Sequence, residues 1–253
     1  MTGAEFWRGK RVLLTGHTGF KGAWMALWLE RLGADVTGFA LAPPDDRDCV
    51  FTLAAPWPKL HSIIGDLRDA SAVANAAEQS DPEIVIHMAA QALVKRSYAD
   101  PVETFASNVM GTVNLLSAVA KRPSLRTILV ITSDKVYDNN DSGRAFREDD
   151  ALAGDDPYSA SKAGLVGVAK GLALDLAPAG ITVNVVAPGW FESPLADEWM
   201  HNPKLSAAIT GHTAQRRWGT STDLAAAYQF LASDASAFIT GTVLSVDGGY
   251  LLV

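Results

Sequence analysis

The sequence predicts an α/β protein: a single-domain, doubly wound parallel sheet of about seven strands with helices on both faces. Short apolar runs alternate with stretches of helical periodicity, and a length of 253 residues suits one such domain. The runs are continuous rather than alternating with polar residues, so we expect the strands to be buried on both faces. The seven runs are residues 12–14, 36–39, 62–64, 84–86, 128–131, 183–186 and 243–246.

Helical segments between the runs are indicated by apolar residues that recur on one face. Residues 221–223 (Ser-Thr-Asp) predict the capped start of a further helix over 224–231. We expect Trp24 and Trp28 to be core residues. The three apolar faces are Trp24, Leu27, Trp28 and Leu32; Phe105, Val109, Val113 and Leu116; and Leu165, Val168, Leu172 and Leu176.

Two longer stretches carry no clear periodicity. Residues 42–60 contain Pro43, Pro44 and an acidic cluster, and we expect this stretch to replace a full crossover helix. Residues 190–215 are rich in Trp, His and Pro, which is typical of a lid or a substrate loop. The strands and helices use up the chain, so we predict one domain spanning residues 1–253.

Composition narrows the classes of function. The formal net charge of −7 and the lack of a Lys/Arg tract disfavour nucleic acid as a partner. One cysteine excludes an internal disulfide and a multi-cysteine metal cluster, and the histidine spacing indicates no metal site. No apolar run approaches a membrane span, and residues 1–10 lack a signal-peptide layout. We therefore expect a cytoplasmic protein that acts on a small molecule.

A glycine-rich turn follows the first apolar run and precedes a helix. Gly16, Gly19 and Gly22 would allow a tight turn, a close approach of the backbone to a ligand, and close packing of the helix on the strand. Free amides at the helix N-terminus would then face a pyrophosphate. The pattern predicts a dinucleotide site; the alternative is a glycine turn that only packs.

The position that usually reads the ribose carries no charge here. Dinucleotide-binding sheets often place an acidic residue at the end of the second strand, where residues 38–41 are Gly-Phe-Ala-Leu. Arg47 comes only later, so the sequence favours NAD faintly and leaves NADP open. Asp66, after the third run, could accept a hydrogen bond from the adenine amine. Alternatively, Asp66 caps a helix that begins near Ala70.

Tyr158 and Lys162 lie four residues apart, one above the other on a helix. A phenol with a pKa of about 10 is a poor base at neutral pH, and lowering that pKa by about three units needs ~4 kcal/mol. A cation about 4 Å away supplies roughly that much at an effective dielectric of about 20. We therefore predict that Lys162, helped by an oxidised nicotinamide, lowers the pKa of Tyr158; a solvated surface pair is the alternative.

Two further polar residues are candidates for the same site. Ser133 ends the fifth strand, at the sheet edge where ligands bind, and its hydroxyl could hold a substrate oxygen beside Tyr158. Asn108 lies within an apolar helix face and could hold a water that relays protons from Lys162. The alternative for Asn108 is a buried residue that kinks the helix.

These elements together resemble the short-chain dehydrogenase/reductase superfamily over the whole chain. Residues 6–157 look like its extended branch, closely the CDP-glucose 4,6-dehydratases, and the 25-residue interval from Ser133 to Tyr158 fits that branch. The matching segments are 6–7, 9–11, 15–22, 40–44, 86–91, 96–101, 108–112 and 132–135 with Tyr137.

From Tyr158 onward the chain looks like the single-domain branch, such as gluconate 5-dehydrogenases and 3-oxoacyl carrier-protein reductases. The matching segments there are 158–162, 183–184 with 188–189, 217–219, 238–241 and 246–249. A dehydratase would continue into a separate sugar-nucleotide domain, for which this chain is too short. The change of branch predicts a recombined, engineered chain joined near residues 140–160.

The resemblance implies roles for individual residues. Tyr158 would exchange the substrate proton, Lys162 would also hold the nicotinamide ribose, and Ser133 would position the oxygen. The resemblance implies an NAD or NADP site formed by Gly16, Thr18, Gly19, Phe20, Gly22, Asp66, Leu67, Ala89, Ala90, Lys162, Pro188, Gly189 and Ser193.

Three functions remain open on these grounds. The first is hydride transfer between a nicotinamide and a secondary alcohol or ketone. The second is a sugar-nucleotide 4,6-dehydratase, in which Asp134 and Lys135 resemble the acid/base pair. The third is a chimeric scaffold that binds cofactor without turnover.

The resemblance also implies a homodimer or homotetramer paired through helices around 101–120 and 158–177. A monomer is the alternative, because one helix would come from each parent.

Overall fold

The computed structural model describes residues 3–43, 49–136 and 154–252. Pro44, Arg47, Tyr137 and most of the expected junction lie outside these residues. One sheet of seven parallel strands runs in the order β3-β2-β1-β4-β5-β6-β7, which confirms the predicted fold class. Each apolar run lies within a strand: β1 Arg11–Thr15, β2 Asp35–Ala40, β3 His61–Ile64, β4 Ile84–His87, β5 Thr127–Ile131, β6 Thr182–Pro188 and β7 Val243–Val246.

Helices cover both faces of the sheet and form two cores. One core lies under α4, α7 and α8, and the other under α2 and α11. The helices are α1 Gly3–Trp7, α2 Phe20–Arg31, α3 Val50–Leu53, α4 Ala70–Ser80, α5 Val94–Ala99, α6 Pro101–Phe105, α7 Gly111–Val119, α8 Pro157–Leu176, α9 Asp197–His201, α10 Pro203–His212 and α11 Ser221–Ala232. A π-helical turn, Ala106–Met110, joins α6 to α7.

Burial on both faces holds for the central strands but not for the two edges. Every residue of β4 and β5 is buried, whereas β3 is mostly exposed and β7 is half-buried. Within residues 3–43, 49–136 and 154–252, each edge strand pairs with a neighbour on one side only. In addition, the crossover from β2 to β3 contains the four-residue α3 in place of a full helix, as expected for residues 42–60, and so covers little of β3.

Two of the predicted helical faces are correct only in part, because Trp28 and Leu32 pack against one core and Leu116 is buried in the other. Trp24, however, is 48% exposed, and α2 turns Ala23, Ala26 and Leu29 towards the sheet. The Trp24 face lies against a groove between α2 and α11. Phe105 is 41% exposed, while polar residues on the same helix, such as Thr104 and Asn108, are buried. The third face is correct, since Leu165 is buried and its partners pack on the same core.

Two element predictions need adjustment near the C-terminal third. Residues 190–215 are mainly helical, with α9 and α10, rather than an irregular loop. Asn202 explains the start of α10, because its side chain accepts hydrogen bonds from the first backbone amides of that helix. Helix α11 begins at Ser221, earlier than expected, because Thr220 and Asp223 form a capping box. None of the described helices could cross a membrane.

Candidate functional site

The glycine turn occupies the carboxyl end of β1 and has no space for side chains. Gly16 has a φ of +79°, and a Cβ there would lie 2.9 Å from the Ala89 backbone. A Cβ on Gly22 would lie 2.0 Å from the Gly16 carbonyl oxygen. Gly19 precedes α2 without a side-chain cap, so the first amides of that helix, from Phe20 onward, face the turn. The turn is therefore shaped for close approach of a ligand to the backbone.

Two polar residues fasten this turn to the neighbouring strand. The Thr18 hydroxyl donates to the Leu41 carbonyl at 2.9 Å. His17 is fully buried, lies 2.7 Å from the Ser62 hydroxyl through Nε2, and occupies the space left by Gly38. Burial lowers the pKa of His17 to about 4. A neutral His17 is thus part of the support of the turn.

We expect His17 to make the fold sensitive to acid. Its pKa in the folded state, about 4, lies below the ordinary value of 6.5. The unfolded chain therefore binds more protons between these values, and stability should fall as the pH drops through this window, by up to about 3 kcal/mol. Urea unfolding at several pH values would measure this. The slope should become shallower in His17→Asn, with the remainder due to the buried His87, whose pKa is lowered to about 3, and it should stay unchanged in a variant of the exposed His61. An equal slope in all three proteins would contradict the assignment.

The adenine side of the candidate site contains Asp66 and Leu67, which follow β3. Asp66 does not cap α4, because Asp69 accepts the hydrogen bonds from the Ser71 and Ala72 amides. Asp66 binds the guanidinium of Arg68, with Nε to Oδ2 at 2.9 Å, and this lowers the pKa of Asp66. The capping alternative for Asp66 is wrong, and its role toward adenine stays a prediction. Leu67 is buried against Gly111.

Tyr158 and Ser133 come together at the carboxyl edge of the sheet. Tyr158 lies in the first turn of α8, which Asp156 caps by accepting a hydrogen bond from the Ser159 amide at 3.0 Å. The Tyr158 and Ser133 side chains are hydrogen-bonded to each other. Burial raises the pKa of Tyr158 to about 12, the carboxylates of Asp134 and Asp156 add to the rise, and the bond with Ser133 opposes it.

The pKa of Tyr158 is thus raised, whereas we expected Lys162, helped by an oxidised nicotinamide, to lower it. Lys162 is 4% exposed, and its Nζ donates to the Ile131 carbonyl at 3.2 Å. Burial, together with the nearby positive charge of Lys21, lowers the pKa of Lys162 to about 7. Lys162 is therefore only partly charged at neutral pH, so a phenolate at Tyr158 needs further positive charge beside it.

Sequence reasoning missed the part played by Lys21. Desolvation lowers the pKa of Lys21, and attraction to Asp134 opposes that change. Asp134 is 6% exposed, interacts with the Ser133 hydroxyl at 3.1 Å, and lies close to Gly189. Lys21, Asp134 and Lys162 thus form one coupled set of charges. A signal was available, because Lys21 is the one cation within the glycine turn of residues 15–22.

Asn108 lies in the π-helical turn and is fully buried. Its amide nitrogen donates to the Ser161 hydroxyl at 2.9 Å and to the Gln91 carbonyl at 3.1 Å. Its side-chain oxygen accepts from the Gln91 amide at 2.7 Å. These bonds tie the turn to α8 and to the loop after β4, which favours the structural alternative; the proton-relay role stays a prediction.

The remaining predicted cofactor residues lie at the same edge of the sheet. Ala89 and Ala90 follow β4 and are half-buried, and the Ala89 amide faces the Thr15 hydroxyl at 3.2 Å. Pro188 ends β6, and Gly189 has no room for a Cβ, which would lie 2.7 Å from that of Asp247. Ser193 is half-buried and precedes a short 3-10 turn.

An aromatic cluster lies beyond β6. The Trp190 ring contacts those of Trp199 and Trp218, with centroids 6.0 and 5.9 Å away. Tyr250 joins from the C-terminal segment at 6.3 Å. These rings link α9 to the loops around the site and could form one wall of a substrate pocket. Within the described ranges, no group of His, Cys, Asp and Glu side chains is arranged to hold a metal ion.

Comparison with known proteins identifies the family of this chain. The family model described as enoyl-(acyl carrier protein) reductase matches residues 22–251. CDP-glucose 4,6-dehydratase of Salmonella typhimurium is 47% identical over 162 residues, which is 64% of this chain and 45% of that protein. A 3-oxoacyl-(acyl carrier protein) reductase of Rickettsia bellii is 47% identical over 96 residues, or 38% of this chain and 39% of that protein. The chain thus spans less than half the length of each of these two relatives.

Among solved structures, a proposed 2-deoxy-D-gluconate 3-dehydrogenase from Agrobacterium tumefaciens, with bound NADP, superposes with a TM-score of 0.76. The two chains are 26% identical, and the match covers 96% of this chain and 97% of the other. A family model that spans nearly the whole chain and a fold match of the same extent lead to one conclusion. This chain belongs to the short-chain dehydrogenase/reductase family.

Proposed function

We propose that the chain binds NAD or NADP and transfers a hydride between the nicotinamide and a secondary alcohol or ketone. The observation that carries this proposal is the hydrogen-bonded pair of Tyr158 and Ser133, which lies at the same sheet edge as the glycine turn. A proton donor and an oxygen-binding hydroxyl next to a dinucleotide cradle are what such a reaction needs.

The glycine turn fits a dinucleotide. A Cβ at Gly16 or Gly22 would collide with backbone atoms, so only glycine allows this turn. The start of α2 has no side-chain cap and presents free amides beside the turn. These amides, with Gly19 and Phe20, would hold the pyrophosphate. Lys162 and Gly189 would lie on the nicotinamide side. When bound, the nicotinamide supplies the hydride acceptor or donor.

The chain's own residues handle the proton. In the direction of ketone reduction, Tyr158 donates its hydroxyl proton to the substrate oxygen, which the Ser133 hydroxyl positions. The raised pKa of Tyr158, about 12, keeps the phenol protonated for that step. In the reverse direction, the phenol must lose its proton, and positive charge from Lys162 and from an oxidised nicotinamide would favour this.

A hydride assay over polyols and ketoesters, with NAD and NADP in turn, tests the proposal. We expect absorbance of the reduced nicotinamide to change with at least one panel member. Calorimetry on the same protein should detect binding of either dinucleotide. Tight binding without any turnover would instead select the cofactor-binding scaffold, and absence of binding would overturn both.

The dehydratase alternative is supported by Asp134 and by the similarity to the Salmonella enzyme. Asp134 is buried beside Ser133 and raises the pKa of Tyr158, so an acid is present where an elimination would need one. We expect Asp134→Asn to abolish release of a 4-keto-6-deoxy sugar from CDP-glucose if the chain is a dehydratase. In a dehydrogenase, the same variant should keep hydride transfer. For alcohol oxidation, where Tyr158 acts as the base, it should shift the acidic limb of the pH–rate profile to lower pH, because removing the carboxylate lowers the pKa of Tyr158.

We further infer that residues 1–157 and 158–253 have different ancestry. The dehydratase and reductase alignments span 162 and 96 residues, lengths that together come close to that of the chain. Such lengths are expected if the dehydratase matches the first part of the chain and the reductase matches the second. A natural gene encoding the whole chain would refute engineered recombination.

An exposed apolar face supports pairing of two copies. Val102, Phe105 and Met110 are 78%, 41% and 54% exposed on α6 and the π-helical turn, and Gly164 of α8 lies beside this face, against Val109. We expect Phe105→Glu to reduce the mass measured by light scattering to that of a monomer. Leu53→Glu, also at an exposed leucine, should leave the mass unchanged. A wild-type monomer, or equal masses in all three proteins, would contradict the pairing.

A further inference from the structure

A groove of about 300 Å³ lies between α2 and α11, on the sheet face opposite α8. It is lined mainly by apolar side chains. Ser133, Tyr158 and Lys162 are not among them, although Phe20, whose amide would face the pyrophosphate, is one of the lining residues. Helix α2 forms one wall with Trp24, Leu27 and Trp28. Helix α11 forms the other wall with Leu224, Ala225 and Tyr228.

The walls of this groove are aromatic and held in place. Trp28 packs edge-on against Trp7, with ring centroids 5.6 Å apart. Tyr228 is 1% exposed, and its buried hydroxyl has no hydrogen-bond partner among the described residues. Trp24 stays 48% exposed although it faces Leu224 and Ala225 across the groove. The two helices therefore leave an aromatic-lined space large enough for a small ring system.

The ends of the groove are mostly cationic. Lys21 and Arg31 line it about three turns of α2 apart, roughly 15 Å along the helix axis. Within the part of the chain that the structure describes, neither side chain forms a hydrogen bond or ion pair, although Lys21 lies within electrostatic range of Asp134. Glu192 is the acidic lining residue and lies, like Ser221, near the Lys21 end. Two cations against one carboxylate favour an anionic occupant.

We propose that this groove binds a small anionic aromatic molecule, separately from the dinucleotide. The ring system lies between the tryptophans of α2 and the Leu224–Tyr228 wall. The carboxylate or sulfonate lies at Lys21, the lining cation nearest the start of α2. This inference does not depend on the proposed hydride transfer.

The probe for the first test is 2-naphthoate, followed by tryptophan fluorescence and calorimetry on the whole chain. We expect binding of one equivalent, with the Kd raised about tenfold or more by Ala225→Trp, which fills the groove. Ala226→Trp is the matched control, because Ala226 is exposed on the same helix, and its Kd should equal that of the wild type. Equal effects of the two variants, or no binding to the wild type, would overturn the proposal.

A second test adds no bulk and so does not depend on how Ala225→Trp folds. Lys21→Met should weaken 2-naphthoate but not the uncharged 2-naphthamide, whereas Arg31→Met should affect neither. Saturation with NADH should leave the Kd of 2-naphthoate unchanged. Displacement of the probe by NADH would place it in the dinucleotide cleft and refute a separate site.

Discussion

Replacing Tyr158 by phenylalanine is expected to lower hydride transfer by ~10²–10⁴-fold, the range typical of losing a general acid or base. The reason is geometric: the Tyr158 hydroxyl, which we propose as the proton donor, is bonded to Ser133 at the sheet edge that also carries the glycine turn. Removing one oxygen leaves the ring in place, so the cofactor should still bind with nearly wild-type affinity. The measurement pairs initial rates with calorimetric NADH titration.

Tyr98→Phe provides the control for this experiment. Tyr98 is 64% exposed on α5, so its hydroxyl should contribute nothing to the rate. If Tyr158→Phe kept the wild-type rate, proton transfer by Tyr158 would be wrong. If it lost NADH binding together with activity, its role would be structural rather than chemical.

Gly22→Ala is expected to lower the free energy of unfolding by about 3 kcal/mol and to abolish dinucleotide binding. A Cβ at this position would lie 2.0 Å from the Gly16 oxygen and 2.9 Å from the His17 Cα. Both neighbours are backbone atoms of the turn and cannot move aside as a flexible side chain can. The turn and the start of α2 would have to separate, which would misplace the amides expected to bind the pyrophosphate.

Gly167→Ala is the matched control, because Gly167 also lies inside a helix but a Cβ there would meet no described atom within 4 Å. Alanine is the better helix former, so this variant should be more stable by about 0.5–1 kcal/mol. Urea unfolding followed by circular dichroism measures both variants. Similar losses in the two proteins would show that the close approach at Gly22 does not constrain the turn.

The local sequence pattern was sufficient to predict the strands and the glycine turn. Continuous apolar runs such as 128–131 can be satisfied only inside a sheet covered on both sides, and they became central strands. The glycines of the turn are informative without a structure because a tight turn and a close helix restrict residue type at those positions. The same approach failed at β3, since an edge position depends on strand order and on how much chain crosses over it.

Packing partners from distant parts of the chain decided the rest. Periodicity placed Trp24 in the core, but whether that face is covered depends on α11, about 200 residues later in the chain. The protonation of the site residues also depends on distant parts of the chain. The spacing of Tyr158 and Lys162 brings a cation near a phenol, yet their pKa values follow from burial and from Asp134 and Lys21. The sequence alone therefore specified the strands, most helices and the types of residue at the site. Burial and long-range charge set the protonation of those residues, and both arise only when the folded sheet brings distant segments together.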